Sequence, residues 1–273
     1  MTDLLTRCPS LTTVLRDAQE VSAYLWDRGW AECNAGNLSI DVTLSVERSQ
    51  PGFAPIRSED LATGHPSLAG RCFLVTGSGR RFRDFARDAE HNSMLLQLDE
   101  YGSGYTVLWG GLNGLDFKPT SELPTHLRLH QYQVESGGAE TAVLHTHPTE
   151  LIALTHMPDC RHQGNLNRVL WSVLPEVKVF LPRGVGLVPY RVPGSEDLAV
   201  ATERVVREGH KVAVWQFHGC LALGAGPADA FDRIDTANKA ARVALQCRAA
   251  GHRVGGLGPS ELAELERVFG LDE

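Results

Sequence analysis

The stretch Ala142-Val143-Leu144-His145-Thr146-His147-Pro148 carries the reading of the fold. A run of apolar residues predicts a buried strand, and residues two apart on a strand share a face, so His145 and His147 point the same way. Pro148 suits the first turn of a helix, and a helix is predicted over Thr149 to Thr155. Upstream, Leu123 to Tyr132 reads as a helix behind the turn Pro119-Thr120-Ser121-Glu122. Leu95 to Trp109 reads as a hairpin turning at Gly102-Ser103-Gly104. Cys72 to Val75 is a short strand running into Thr76-Gly77-Ser78-Gly79.

Further out, Val14, Ala18, Val21 and Leu25 fall on one helical face, with Thr12 or Thr13 as a cap and Gly29 as a stop. Residues 41 to 70 hold Pro51, Pro55 and Pro66 and read as a surface excursion, with a short strand at Val42 to Val46. Downstream, strands are predicted at Val177 to Leu181 and Val212 to His218. Helices are predicted at Ser195 to Glu208 (apolar at Leu198, Ala201 and Val205), Ala230 to Ala249 before Gly251, and Glu261 to Phe269. No internal repeat is visible. Helices alternating with strands, one pair of them a hairpin, indicate an α/β fold: a single domain over residues 1–273 with a mixed, mostly antiparallel central sheet flanked by helices.

Composition narrows the function. The chain has 273 residues, 42% hydrophobic and 22% charged, which excludes a disordered chain. Lys and Arg number 26 against 33 Asp and Glu, a net charge of −7 that argues against a nucleic-acid partner. No apolar run approaches the ~20 residues of a membrane span. The first residues lack a signal-peptide core, so a cytoplasmic location is expected. Cys8, Cys33, Cys72, Cys160, Cys220 and Cys247 form no C-x-x-C pair, which speaks against a disulfide framework or a zinc ribbon.

Three features could carry chemistry. His145 and His147, joined by His218 at the end of another apolar strand before Gly219, could grip one cation and leave coordination positions open, as catalytic zinc sites do. The alternative is three ordinary histidines in a chain with 11. Glu122 reads either as a helix cap or as an acid/base. The turns Asn34-Ala35-Gly36-Asn37-Leu38-Ser39, Thr76-Gly77-Ser78-Gly79 and Thr120-Ser121 could form anion-binding nests, with Arg80 and Lys118 nearby. Each could also be only a turn.

In this order, Asn34-Ala35-Gly36-Asn37-Leu38-Ser39, Val75-Thr76-Gly77-Ser78-Gly79, Pro119-Thr120-Ser121-Glu122-Leu123-Pro124, His145-Thr146-His147, Trp215-Gln216-Phe217-His218-Gly219 and Ile234-Asp235-Thr236-Ala237 resemble the class II aldolase/adducin family. The likeness runs from about residue 20 to the C-terminus. The length and the 41–70 excursion fit its rhamnulose-phosphate branch better than the shorter fuculose-phosphate aldolases and ribulose-phosphate epimerases. The resemblance implies zinc, one per subunit, on His145, His147 and His218, and Glu122 as catalytic acid/base. It implies substrate or phosphate contacts from Asn34, Gly36, Asn37, Ser78, Gly79, Thr120 and Ser121, and a second acid, Glu176, reaching in from a neighbouring subunit of a homotetramer. His156 stands where the rhamnulose branch has a tyrosine at the aldehyde end of its substrate, a departure that bears on aldehyde specificity.

The implied reaction is reversible retro-aldol cleavage of a ketose 1-phosphate, rhamnulose 1-phosphate in that branch, to dihydroxyacetone phosphate and an aldehyde (lactaldehyde). Zinc would act as Lewis acid. The alternatives on the same scaffold are a sugar-phosphate 4-epimerase or dehydratase, or a non-enzymatic adducin-like module.

Overall fold

A computed structural model describes residues 3–49, 52–111 and 117–271. Nine strands form one sheet: β1 (Asn37–Asp41), β2 (Arg57–Asp60), β3 (Cys72–Thr76), β4 (Ser93–Leu98), β5 (Gly104–Gly110), β6 (Ala142–Thr146), β7 (Gly186–Val188), β8 (Val212–Trp215) and β9 (Gly219–Gly224). Their order is β2-β5-β4-β3-β1-β6-β9-β8-β7. Every pairing is antiparallel except β7 with β8. The mixed, mostly antiparallel sheet expected from the hairpin and helix signals is therefore present, with helices on both faces.

The chain opens with α1 (Asp3–Arg7) and α2 (Thr12–Asp27), then α3 (Thr43–Ser49) and the short α4 (Phe82–Phe85) and α5 (Ala89–Asn92). After β5 come α6 (Leu123–Ser136), α7 (Thr149–His156), α8 (Gln163–Val173), α9 (Pro175–Phe180), α10 (Glu196–Arg207), α11 (Pro227–Ala249) and α12 (Pro259–Phe269). On one face of the sheet, Leu38, Ile40, Ala142 and Leu144 pack with apolar residues of α2, α7, α8 and α11. The alternate residues face the other way. Phe73 and Val75 pack against Leu123 and Leu127 of α6. Val143 packs with Leu129 of α6 and with Leu198 and Val205 of α10. This alternation decides the site: Asn37, Ser39, His145 and His147 share the α6 side.

Several local expectations need correction. Val177 to Leu181 is not a strand: α9 begins at Pro175, whose fixed φ starts a helix, and Lys178 pairs with Glu266 of α12 at 2.6 Å. Val42 to Val46 is not a strand either. Asp41 Oδ1 accepts the Thr43 N–H at 3.0 Å and its hydroxyl at 2.5 Å, which turns the chain into α3. The 41–70 stretch is not only an excursion, since β2 joins the sheet as its edge beside β5. Pro51 lies outside the described residues. Neither Thr12 nor Thr13 caps α2 by its side chain, because that helix continues from the 3-10 turn Pro9–Leu11. The strand expected to reach His218 ends at Trp215. All six cysteines are free, and four are buried.

Candidate active site

Five segments bearing the candidate motifs meet at one end of the sheet's central strands. Asn37 on β1 lies directly opposite His145 on β6. Asn34, Gly36, Asn37, Ser78, Gly79, Thr120, Ser121, Glu122, His145, His147 and His218, with Ala35 and Gly77, line a single open cavity of about 170 Å³. Of the predicted site residues only Glu176 stands apart, exposed on α9. Lys118 is exposed; its carbonyl accepts the Ser78 N–H at 2.8 Å. The Arg80 guanidinium lies over the Phe117 ring at 4.8 Å.

Backbone geometry lets these segments approach. Gly36 has φ +82, and a Cβ there would come within 2.6 Å of the Phe82 ring and 2.8 Å of the His145 carbonyl oxygen. His218 occupies the three-residue turn between β8 and β9, where Phe217 is left-handed at φ 64. A Cβ on Gly219 would meet Thr146 O at 2.6 Å and the rings of His147 and His145 at 2.8 and 3.0 Å. Glycine at that position is what lets the turn press His218 against the other two.

The three imidazoles form a closed set. Their ring centroids lie 5.0–5.1 Å apart. One ligand atom from each lies within 4.8 Å of the others. His145 Nδ1–H donates to the Cys220 carbonyl at 2.8 Å, which leaves Nε2 its lone pair. His147 Nδ1–H donates to Glu32 Oε1 at 2.8 Å, with the same result. His218 Nδ1 is buried and has no hydrogen-bond partner among the described residues. Burial, then the neighbouring His147 and His218, hold His145 well below the usual imidazole range. Burial followed by His147 brings His218 down to about 4. Trp215 stacks on His145 and His218 at 4.5 and 5.1 Å, and its Nε1–H donates to Thr202 Oγ1 at 3.0 Å, so the indole is fixed as a wall. A nitrogen-only donor set with lone pairs kept free fits a borderline-soft divalent cation, and zinc above the oxygen-seeking calcium and magnesium.

Glu122 occupies the N-cap position of α6 but makes no capping bond. Its side chain turns into the cavity, 4% exposed, with Oε2 3.7 Å from His145 Nε2 and accepting Asn37 Nδ2–H at 3.1 Å. Burial pushes its carboxyl up to about 7, against the opposing Asn37 hydrogen bond. With His145 neutral, the 3.7 Å contact is not an ion pair. A carboxyl that is half protonated near neutrality can both give and take a proton.

Sequence reading assigned no role to Glu32 or to Trp215, which orient the histidines. Ser39, expected in an anion-binding turn, instead lies on β1 outside the cavity, and His126 and His130, to which no role was assigned, are buried with it behind Asn37. The i, i+4 spacing of His126 and His130 on α6 was the available signal for the latter pair.

A mixed sheet covered by helices, with a histidine trio and a buried carboxyl at one end of its central strands, defines a candidate metal site with an acid/base beside it. The family model for the class II aldolase and adducin N-terminal domain matches residues 16–245, and the chain belongs to that family. A rhamnulose-1-phosphate aldolase of Bacteroides thetaiotaomicron is 33% identical over 272 residues, 99% of each chain. One from Pectobacterium atrosepticum is 36% identical over 250 residues, 90% of each. Among solved structures, a sugar-phosphate aldolase from Thermotoga maritima superposes with a TM-score of 0.77 at 30% identity, covering 89% of this chain and 98% of its own. An L-fuculose 1-phosphate aldolase at 18% identity, TM-score 0.61, shares the fold. Class II aldolases are metal-dependent carbon–carbon lyases, and this chain carries a histidine trio that could hold the metal.

Proposed function

We propose that this chain cleaves a ketose 1-phosphate, L-rhamnulose 1-phosphate above others, to dihydroxyacetone phosphate and L-lactaldehyde, reversibly. The observation that carries this reading is the trio His145, His147 and His218 with Glu122 beside it in one cavity. The names of the relatives supply the substrate. His145, His147 and His218 would hold one Zn²⁺ per subunit. Bound there, the ion supplies Lewis-acid stabilisation of the negative charge that carbon–carbon cleavage leaves on the substrate.

The chain's own residues do the rest. Thr120 and Ser121 at the start of α6, with Ser78 and Gly79 from the loop after β3, hold the phosphate against the positive end of the helix. Asn34, Gly36 and Asn37 hold the neighbouring oxygens. This anchoring sets the reacting carbons beside Glu122. Glu122, protonated, donates to C3 as the C3–C4 bond breaks and the electron pair remains on C3. In the synthetic direction its carboxylate removes the same proton. The C4 hydroxyl proton goes to a second carboxylate acting as base, Glu176 of a neighbouring subunit in a homotetramer. No helix of the described residues is long and apolar enough to cross a membrane, in keeping with a cytoplasmic enzyme. We read residues 1–273 as one domain.

Incubation of the zinc-loaded protein with L-rhamnulose 1-phosphate and other ketose 1-phosphates, followed by assay of triose phosphate, tests the reading. Release from the rhamnulose ester is expected. Epimerised sugar phosphate without triose phosphate would overturn it in favour of the epimerase.

A further inference from the structure

Behind Glu122 a polar chain runs through the layer between the sheet and α6. Asn37 Nδ2–H donates to Glu122 Oε2 at 3.1 Å. Asn37 Oδ1 meets His126 Nε2 at 2.6 Å. His126 Nδ1 meets Ser39 Oγ at 2.7 Å, and Ser39 Oγ meets His130 Nε2 at 2.7 Å. Every member is nearly inaccessible, His126 at 0% and Ser39 at 1% exposure. Burying two imidazoles, a hydroxyl and an amide between a sheet and a helix is unfavourable unless each is satisfied, and apolar residues of similar size would fill the space without that penalty. Here each is satisfied, and the chain ends on the one buried carboxylate of the candidate active site.

The chain has a single direction when Glu122 is ionised. A carboxylate only accepts, so Asn37 must face it with its amide N–H. The Asn37 carbonyl then faces His126, which must carry its proton on Nε2. His126 Nδ1 is therefore an acceptor and takes the Ser39 hydroxyl proton. The Ser39 oxygen in turn accepts from His130 Nε2–H. Reversing any one member leaves two donors or two acceptors face to face.

We infer that His126, Ser39 and His130 are positioning residues for the reaction proposed above. They hold the Asn37 amide in the orientation that donates to Glu122, and so hold the carboxylate at the reacting carbon. None of the three lines the cavity, so none is expected to touch substrate. The inference rests on the acid/base role of Glu122, and Glu122→Gln serves as the control for that role.

The test measures turnover per bound metal and KM for L-rhamnulose 1-phosphate in His126→Leu, His126→Gln and Ser39→Ala, together with the His126 tautomer by long-range ¹⁵N–¹H correlation in the zinc-loaded wild type. His126 is expected as the Nε2–H tautomer. His126→Leu is expected to lower kcat about tenfold to a hundredfold at nearly unchanged KM, a part of what a positioned acid/base supplies. His126→Gln, whose amide N–H can replace the donor, is expected to recover most of the loss. Ser39→Ala is expected to lose about threefold to tenfold by freeing the tautomer. If His126→Leu does not fold, His126→Gln and Ser39→Ala still decide. An Nδ1–H tautomer, Ser39→Ala at wild-type kcat per metal, or a Gln variant as poor as the Leu variant overturns the inference. If Glu122→Gln itself keeps wild-type turnover, the failure lies in the proposed mechanism instead.

Discussion

Glu122 sits where a helix cap belongs and does not cap. The side chain that would satisfy the first turn of α6 is turned into the cavity, where burial raises its carboxyl to about 7. Glu122→Gln keeps the shape and removes the proton. Turnover is expected to fall by about 10²-fold or more with metal content unchanged, since a positioned acid/base contributes on the order of 10²–10⁴. Rate and metal measured on the same sample check this. His218→Ala removes one of three nitrogen donors and is expected to lose both bound zinc and activity. Full zinc content by elemental analysis in that variant would remove His218 from the ligand set.

At the scale of elements, the β8–β9 hairpin delivers His218 to the pair on β6, and it can do so because Gly219 has no Cβ. In Gly219→Ala the methyl group would meet Thr146 O at 2.6 Å and the His147 ring at 2.8 Å, so the turn must retreat. Weaker zinc retention against a chelator is expected, with the fold kept by circular dichroism. The same hairpin shows what the sequence made legible. His145-Thr146-His147 could be read as one face because strand alternation is a local rule. His218 could be read as a candidate but was placed at the end of a strand, when it sits in a turn set by the left-handed Phe217. Aromatic residues rarely take that conformation, so no local signal announces it. Val177 to Leu181 failed for the reverse reason. Its β-branched residues favour a strand, but Pro175 and the docking of Lys178 onto α12 make it a helix, and docking is invisible to local pattern. The roles of Glu32, Trp215 and Ser39 were not legible because each acts through a partner distant in sequence.

Behind Glu122, two further imidazoles, outside the candidate metal site, are locked in the interior without charge. Burial takes His126 down to about 3 and His130 to about 4, from 6.5 for a free side chain. The unfolded chain therefore binds protons on these residues that the folded chain refuses. Their contribution favours the folded state in full above about pH 6.5 and is lost progressively as pH falls through about 4 for His130 and about 3 for His126. Denaturant midpoints are expected to drop steadily over that window, and less steeply in a His126→Gln variant; a flat midpoint between pH 7 and pH 4.5 would contradict it.

The central claim is that three histidines, two from β6 and one from the β8–β9 turn far away in sequence, hold the one cation on which carbon–carbon cleavage depends. The most direct measurement pairs metal content with turnover of L-rhamnulose 1-phosphate, before chelation, after it, and after titration with Zn²⁺. About one zinc per chain is expected, with release of dihydroxyacetone phosphate that disappears on chelation and returns in proportion to zinc added back. Undiminished triose phosphate release from the metal-stripped protein would contradict the account.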